Sequence, residues 1–222
     1  MTATDRGAAI RQATRDDADH ITRLLAEAFH DGPVADWLVP DEGARRRVYL
    51  DYFAIFVDDA LRRGFIHATA DLTGVALWYP RIEPLPEPVN YDARLAAACG
   101  RWLDRFLLLD AAFNKIHPAW PHHYLAFLAV TPKRQGVGIG GALLRHQHAA
   151  LAALGLPAYL EASNARNRNL YLRHGYQASG PVPLPDNGPP IWPMRYDPPT
   201  PSRPAAAGTA TQPGSSTAPP SA

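Results

Sequence analysis

Apolar side chains recur along this chain in two rhythms, and each predicts its own kind of element. Ala18, Ile21, Leu24, Leu25 and Ala28 fall on one helical face, behind a capping-box-like Thr14-Arg15-Asp16-Asp17, and predict a helix ending near Phe29. Val48, Tyr52, Ile55 and Phe56 return every three or four residues and predict a second helix over residues 42–62. Phe65 to Ala70 and Val75 to Tyr79 flank Asp71-Leu72-Thr73-Gly74 and read as a hairpin. Residues 31–40, which hold Gly, Pro and Trp, read as a structured loop. Pro80 to Pro88 ends the hairpin, and residues 92–115 are helical in composition.

The segment Tyr124 to Val130 (YLAFLAV) is mostly apolar and short enough for a strand buried on both faces. A glycine-rich turn from Gly136 to Gly141 then opens a helix to about Leu154, Ala158 to Glu161 forms a strand, and Asn167 to His174 a short helix. Gly175-Tyr176 breaks that helix into another strand. Strand, helix and strand in this order imply a right-handed crossover with at least one parallel pair. The fold class is therefore α/β or α+β around a mixed sheet.

Composition changes this picture at few points. From Asp197 onward the chain is Pro, Ala, Ser, Thr and Gly with almost no large apolar side chain. Such a stretch buries too little surface to offset its ordering entropy, so residues 197–222 are expected to be a disordered tail, residues 1–8 a flexible start, and residues 9–196 one domain. Lys plus Arg (22) balances Asp plus Glu (21), which gives no reason to expect a nucleic-acid or membrane partner. One cysteine, Cys99, cannot close an internal disulfide, and with no signal-like opening a cytoplasmic protein is expected. His146 and His148 lie two apart on a helix and face different ways, so no metal site is inferred. Oligomeric state, monomer or homodimer, stays open.

A strand that feeds a glycine-rich turn into a helix suits an anion, because the first amides of the helix lack internal partners and the dipole places positive charge there. Gly136, Gly138 and Gly141 also fit the dinucleotide pattern GxGxxG, with Glu161 at the end of the next strand. Against that reading, five residues (TPKRQ) separate Val130 from the first glycine, and too little foldable chain follows for further βα units. A phosphate loop of the NTPase type would need Lys-Ser or Lys-Thr after the glycines, and none follows.

Gln135-Gly136-Val137-Gly138-Ile139-Gly140 resembles the QxxGxG signature of GNAT acetyltransferases, and LEASNARNRNLYLRHGY resembles their second motif. Within that superfamily the chain looks most like puromycin N-acetyltransferase-like enzymes, through ATRDD, the Leu-Glu-Ala-Ser strand end and Trp-Pro-Met-Arg. The resemblance implies a mixed, mostly antiparallel central sheet flanked by helices, with a parallel pair at the cofactor site, and an enzyme that acetylates a primary amine from acetyl-CoA. The acceptor is expected to be a small molecule, an amino-acyl compound or aminonucleoside antibiotic among the options. The competing class is a non-catalytic acyl-CoA sensor or interaction module of the same fold.

Residue by residue, the resemblance implies that the amides of Gln135, Gly136, Val137, Gly138, Ile139, Gly140 and Gly141 hold the pyrophosphate of coenzyme A, with Arg134 and Lys133 nearby. Leu128, Ala129 and Val130 would pair with pantetheine. Asn164 and Asn167 compete for a pantetheine contact; Asn167 fits better, which leaves Asn164 as a helix cap. Tyr171 takes the position of the acid that protonates the leaving thiolate. No carboxylate lies on the strand Tyr124 to Val130, so Glu161, His123, His122 or a water chain are the candidates for the base. Phe29, Asp31, Trp37, Trp78 and Tyr124 are expected around the acceptor. A lysine amine, with a pKa of about 10.4, would cost on the order of 4.6 kcal/mol to deprotonate at pH 7, so a weakly equipped site favours an amine of lower pKa.

Overall fold

The computed structural model describes residues 9–199. The expectations for residues 1–8 and for the tail beyond residue 199 lie outside the described residues. A seven-strand path runs β1 (Ile10–Gln12), β2 (Phe65–Thr69), β3 (Gly74–Arg81), β4 (His122–Val130), β5 (Ala158–Ala162), β8 (Pro190–Tyr196) and β6 (Gln177–Ala178), with β7 (Val182–Pro183) paired to β8 off that path. Every pairing is antiparallel except β4 with β5. The helices are α1 (Ala18–Ala28), α2 (Pro33–Leu38), α3 (Glu42–Arg63), α4 (Tyr91–Cys99), α5 (Leu103–Ile116), α6 (Ile139–Leu154) and α7 (Ala165–Arg173). None is long and apolar enough to cross a membrane.

The sheet separates two cores. On one face α1, α3, α4 and α5 bury Ile21, Leu25, Tyr52, Phe53, Leu95 and Phe106. On the other, α6 buries Leu143, Leu144 and Leu151 against Trp78, Leu125 and Leu160. Local signals set the helix ends. Thr14 and Asp17 form the capping box before α1, and the Asp17 carboxylate accepts from both Arg11 guanidinium nitrogens at 2.7 and 2.8 Å. Asp41 caps α3 by accepting from the Ala44 amide at 3.0 Å.

Four features depart from the sequence reading. Residues 31–40 contain α2, which starts on Pro33 at its first turn, the position where proline costs a helix no hydrogen bond. The helical stretch 92–115 is broken at Gly100, whose φ of +51° separates α4 from α5. The strand after Gly175 is only two residues long. The longer β8, carrying Trp192-Pro193-Met194-Arg195, inserts between β5 and β6.

The crossover from β4 through α6 to β5 makes the working end of the sheet. β4 pairs with β3 along its whole length, but with β5 only at His123↔Ala158 and Tyr124↔Tyr159. Beyond Tyr124 the two strands diverge. Opposite β3 the register shifts, with Trp78 facing Leu125 and Leu77 facing Phe127. Ala126 is therefore the extra residue of a bulge, which bends β4 and adds to the divergence. Among the described residues the wedge leaves the β5-facing edge of β4 from Leu125 to Val130 without a strand partner.

Candidate active site

A cleft of about 680 Å³ runs into this wedge. Its floor is Tyr124 to Leu128 of β4. One wall is Glu161, Ser163, Asn164, Asn167 and Tyr171, and the other is Phe29, Phe53 and Phe56. The apolar wall is close-packed: Phe127 meets Phe29, Phe53 and Phe56 with ring centroids 5.2–5.7 Å apart and edge-on angles of 67–84°.

At the end of β4, Thr131 donates backbone and side-chain hydrogen bonds to the Thr73 carbonyl at 2.9 and 3.2 Å. Gln135 donates to the Val130 carbonyl at 3.1 Å. The chain then turns through Gly136 (φ +83°) and Gly138 (φ +93°), conformations that strain any side chain. Ala142 is the first amide to bond back along α6, to Gly138 O at 3.0 Å. Among the described residues the amides from Gly136 to Gly141 have no backbone acceptor, and they lie at the positive end of a 16-residue helix. Donors without acceptors at a helix start fit a diphosphate, so the loop suits the nucleotide end of coenzyme A. Lys133 and Arg134 are exposed beside it.

Across the wedge, Asn164 accepts from the Asn167 amide at 2.8 Å and caps α7, the role expected of it. Asn167 holds Ser163 Oγ at 3.4 Å, and both asparagines line the cleft. Tyr171, on α7, is 7% exposed, and burial raises its hydroxyl above the ordinary tyrosine value. It therefore stays protonated at neutral pH.

Glu161 is the one carboxylate on β5, with a side chain only 2% exposed. Oε2 accepts from the Tyr124 hydroxyl at 2.8 Å, while Oε1 is buried without a hydrogen-bond partner among the described residues. Burial and the neighbouring Glu161 raise the Tyr124 hydroxyl well above its ordinary range, so it remains a donor. Arg81 stands over the Tyr124 ring, 5.9 Å from its centroid.

Alternation along β4 divides the histidines. Tyr124 faces the cleft, so His123 points to the α6 side, where Gln147 meets its Nδ1 at 3.0 Å. That face is closed from the cleft, and His123 is not positioned as a base. His122 shares the Tyr124 face and is buried. It contacts His117 at 3.1 Å between Nε2 atoms. His117 lines the cleft; it precedes the strand, and no spacing in the sequence marks it.

Of the residues expected around the acceptor, Phe29, Asp31 and Tyr124 line the cleft. Trp78 does not: it is fully buried on the α6 face, as strand alternation from Tyr79 requires. Trp37 packs into the core under Arg105, 5.2 Å from its ring, and lines no part of the cleft. Cys99 is buried. Among the described residues no group of His, Cys, Asp and Glu could hold a metal.

Residues 104–178 match the family model for an acetyltransferase (GNAT) domain. An N-acetyltransferase of Schizosaccharomyces pombe, itself uncharacterized, is 25% identical over 174 residues, which cover 68% of this chain and 67% of its own. A Corynebacterium glutamicum structure, described as histone acetyltransferase HPA2 and related acetyltransferase, is 28% identical with a TM-score of 0.64, over 88% of this chain and 98% of its own. The polyamine N-acetyltransferase of Drosophila melanogaster has the same fold at a TM-score of 0.59 and 17% identity, over 85% of this chain and 99% of its own. The match over residues 104–178 and the architecture shared around it support a GNAT-family acetyltransferase domain in this chain.

Proposed function

We propose that this protein transfers the acetyl group of acetyl-CoA to the primary amine of a small molecule, with Glu161 as base and Tyr171 as acid. The observation that carries the reading is the wedge itself. An unpaired strand edge leads past Val130 to a run of unbonded amides, and a buried carboxylate and a buried phenol line the cleft along that edge. A protein that only sensed acyl-CoA would need the first two but not the last pair.

Acetyl-CoA supplies a thioester, a carbonyl already activated for attack by an amine. In this reading the amides of Gly136 to Gly141 hold its diphosphate, and the backbone from Leu128 to Val130 meets pantetheine at the free edge. Asn167 would add a side-chain contact. Glu161 takes a proton from the acceptor ammonium, and its bond from Tyr124 keeps the carboxylate oriented. Tyr171 delivers a proton to sulfur as the thiolate leaves; with a reference thiol pKa near 8.5, that transfer lowers the barrier to departure.

Phe29, Phe53 and Phe56 favour an acceptor with an apolar or aromatic body next to its amine. Amino-acyl compounds and aminonucleosides satisfy that, and so do arylalkylamines. A buried base also widens the range beyond low-pKa amines. Thiol release from acetyl-CoA is the test, measured against a panel of aminonucleosides, aminoglycosides, amino acids, arylalkylamines and polyamines. Turnover on at least one panel is expected. Saturable coenzyme A binding with no turnover on any amine would overturn the enzymatic reading in favour of the sensor.

A further inference from the structure

Glu161 has a second oxygen, and its surroundings determine where a proton accepted there can go. Oε1 has no hydrogen-bond partner among the described residues, and His117 Nδ1 stands 3.8 Å from it. On the far side of the ring, His117 Nε2 meets His122 Nε2 at 3.1 Å. His122 Nδ1 lies 2.7 Å from the Trp120 carbonyl oxygen.

These contacts select one tautomer for each ring. A carbonyl oxygen only accepts, so His122 carries its proton on Nδ1. Burial lowers His122 to about 4, so it is neutral at pH 7 and its Nε2 is a bare acceptor. His117 must then donate from Nε2. The remaining vacancy of the chain is His117 Nδ1, and it faces the unpartnered oxygen of Glu161. His117 Nδ1 and Glu161 Oε1 are thus the two acceptors left facing each other, and a proton that arrives at Glu161 can be shared by both.

We propose that His117 is a positioning residue that takes up, at Nδ1, the proton Glu161 removes from the acceptor ammonium and carries it from the cleft to solvent. This rests on the reading of Glu161 as base. The ammonium gives one proton to the Glu161 carboxylate; the resulting carboxylic acid passes it to His117 Nδ1 as the two atoms close from 3.8 Å to hydrogen-bonding distance; and His117, whose side chain is 16% exposed, releases it to water. The second amine proton, lost as the N–C bond forms and the C–S bond breaks with its electron pair going to sulfur, matches the proton that reaches the thiolate through Tyr171. One proton is released per turnover.

The groups packed around His117 suit a transient cation. His122 and Tyr124 face it from β4, and Tyr159 and Glu161 from β5. The Tyr124 and Tyr159 rings stand at 84° and 78° to the imidazole, with centroids 4.8 and 5.3 Å away. Arg81 of β3 opposes further positive charge at His122, and Arg195 of β8 lies beyond Trp120, 4.4 Å from its ring. The charge is therefore confined to His117.

The experiment uses the full chain. Nitrogen-15 NMR of the unmodified protein should show His122 protonated on Nδ1 and His117 on Nε2 at neutral pH; His122 protonated on Nε2 alone would overturn the proposal. His117→Gln and His117→Ala are then compared with the unmodified enzyme from acid to alkaline pH. The expected result is a kcat lower by about tenfold to a hundredfold, short of the 10²–10⁴ lost with a direct acid or base. The KM for acetyl-CoA should hold, the acid limb of the pH profile should move, and added imidazole should restore turnover in His117→Ala. A folded variant with unchanged kcat and pH profile, or with a loss in KM alone, would sink the relay and leave Glu161 untouched. Absence of turnover in the unmodified protein would instead remove the functional reading and the relay with it. The NMR arm decides the geometry even where the variants fold poorly.

Discussion

The Tyr124 hydroxyl donates to Glu161 Oε2 at 2.8 Å across the last paired residues of the parallel β4–β5 ladder. One bond thus joins the point where the sheet opens to the carboxylate that faces the opening. Glu161 belongs to β5, and β5 is held in turn by β8, whose Pro193 stands opposite it. The carboxylate is oriented by sheet elements on both sides and not by a loop.

Glu161→Gln keeps the shape of the side chain and removes its ability to take a proton. Its kcat is expected to fall by about 10²–10⁴, with coenzyme A affinity retained, as read by steady-state kinetics and calorimetric titration. Tyr124→Phe removes one donor and should cost less. Equal turnover in Glu161→Gln would assign the base elsewhere.

Tyr171→Phe should lower kcat by about 10²–10⁴ without weakening acetyl-CoA binding. Because burial holds the phenol protonated, no alkaline loss of activity up to pH 9 should trace to it. Comparing pH profiles of the two proteins checks this, and a kcat near that of the unmodified enzyme would exclude Tyr171 as the acid.

Gly74→Ala tests the support behind the anion loop. A Cβ there would collide with Ile139 Cγ2, and Ile139 is the first residue of α6. Overpacking of this kind costs about 1–3 kcal/mol, and here it would also displace the amides that follow Gly138. A lower unfolding midpoint together with a raised KM for acetyl-CoA is expected. A normal KM at reduced stability would uncouple the loop from the hairpin.

Arg45→Met acts on the other rim. The buried guanidinium donates to the Val39 carbonyl at 2.8 Å, the His30 carbonyl at 2.7 Å and the Asp36 carboxylate at 2.8 Å, pinning the α1–α2 segment that carries Asp31 and Val34 into the cleft. Asp36 is exposed, so the loss comes mainly from the two carbonyls, at about 1–3 kcal/mol for a buried acceptor left unpaired. The KM for the amine should rise more than that for acetyl-CoA. Unchanged acceptor kinetics would show that this rim does not touch the substrate.

Stability should fall on acidification from neutral pH toward pH 4. Burial lowers His67, His122 and His148 from 6.5 to about 4. Between those values the unfolded chain binds more protons than the folded one, so stability is present above pH 6.5 and is lost as pH falls through 4. Asp110, raised by burial to about 6, works the other way between 3.8 and 6 but is one group against three. Thermal melts over pH 4–7 read the slope, and a midpoint independent of pH would contradict the burial of these rings.

The crossover, its glycine turn and the motif around Tyr171 were legible in the chain, because each depends on local spacing: an apolar run, glycines where φ is positive, a helix of nine residues with an asparagine cap. The same local signals located α1, α3 and the β2–β3 hairpin. Which face of a strand meets the cleft was not local. Trp78 and His123 looked as eligible as Tyr124, and only the register across β3, β4 and β5 turned them toward α6. The break at Gly100 and the late strand β8 were missed for a related reason, since helical composition does not mark a break and a strand holding Pro190 and Pro193 gives no strand pattern. Most of all, Glu161 and His117 stand 44 positions apart in the chain, and their approach follows from the parallel pairing of β4 with β5 beside the end of α5. Spacing in sequence selects chemistry along one element; contact between elements is settled by which surfaces the sheet must bury.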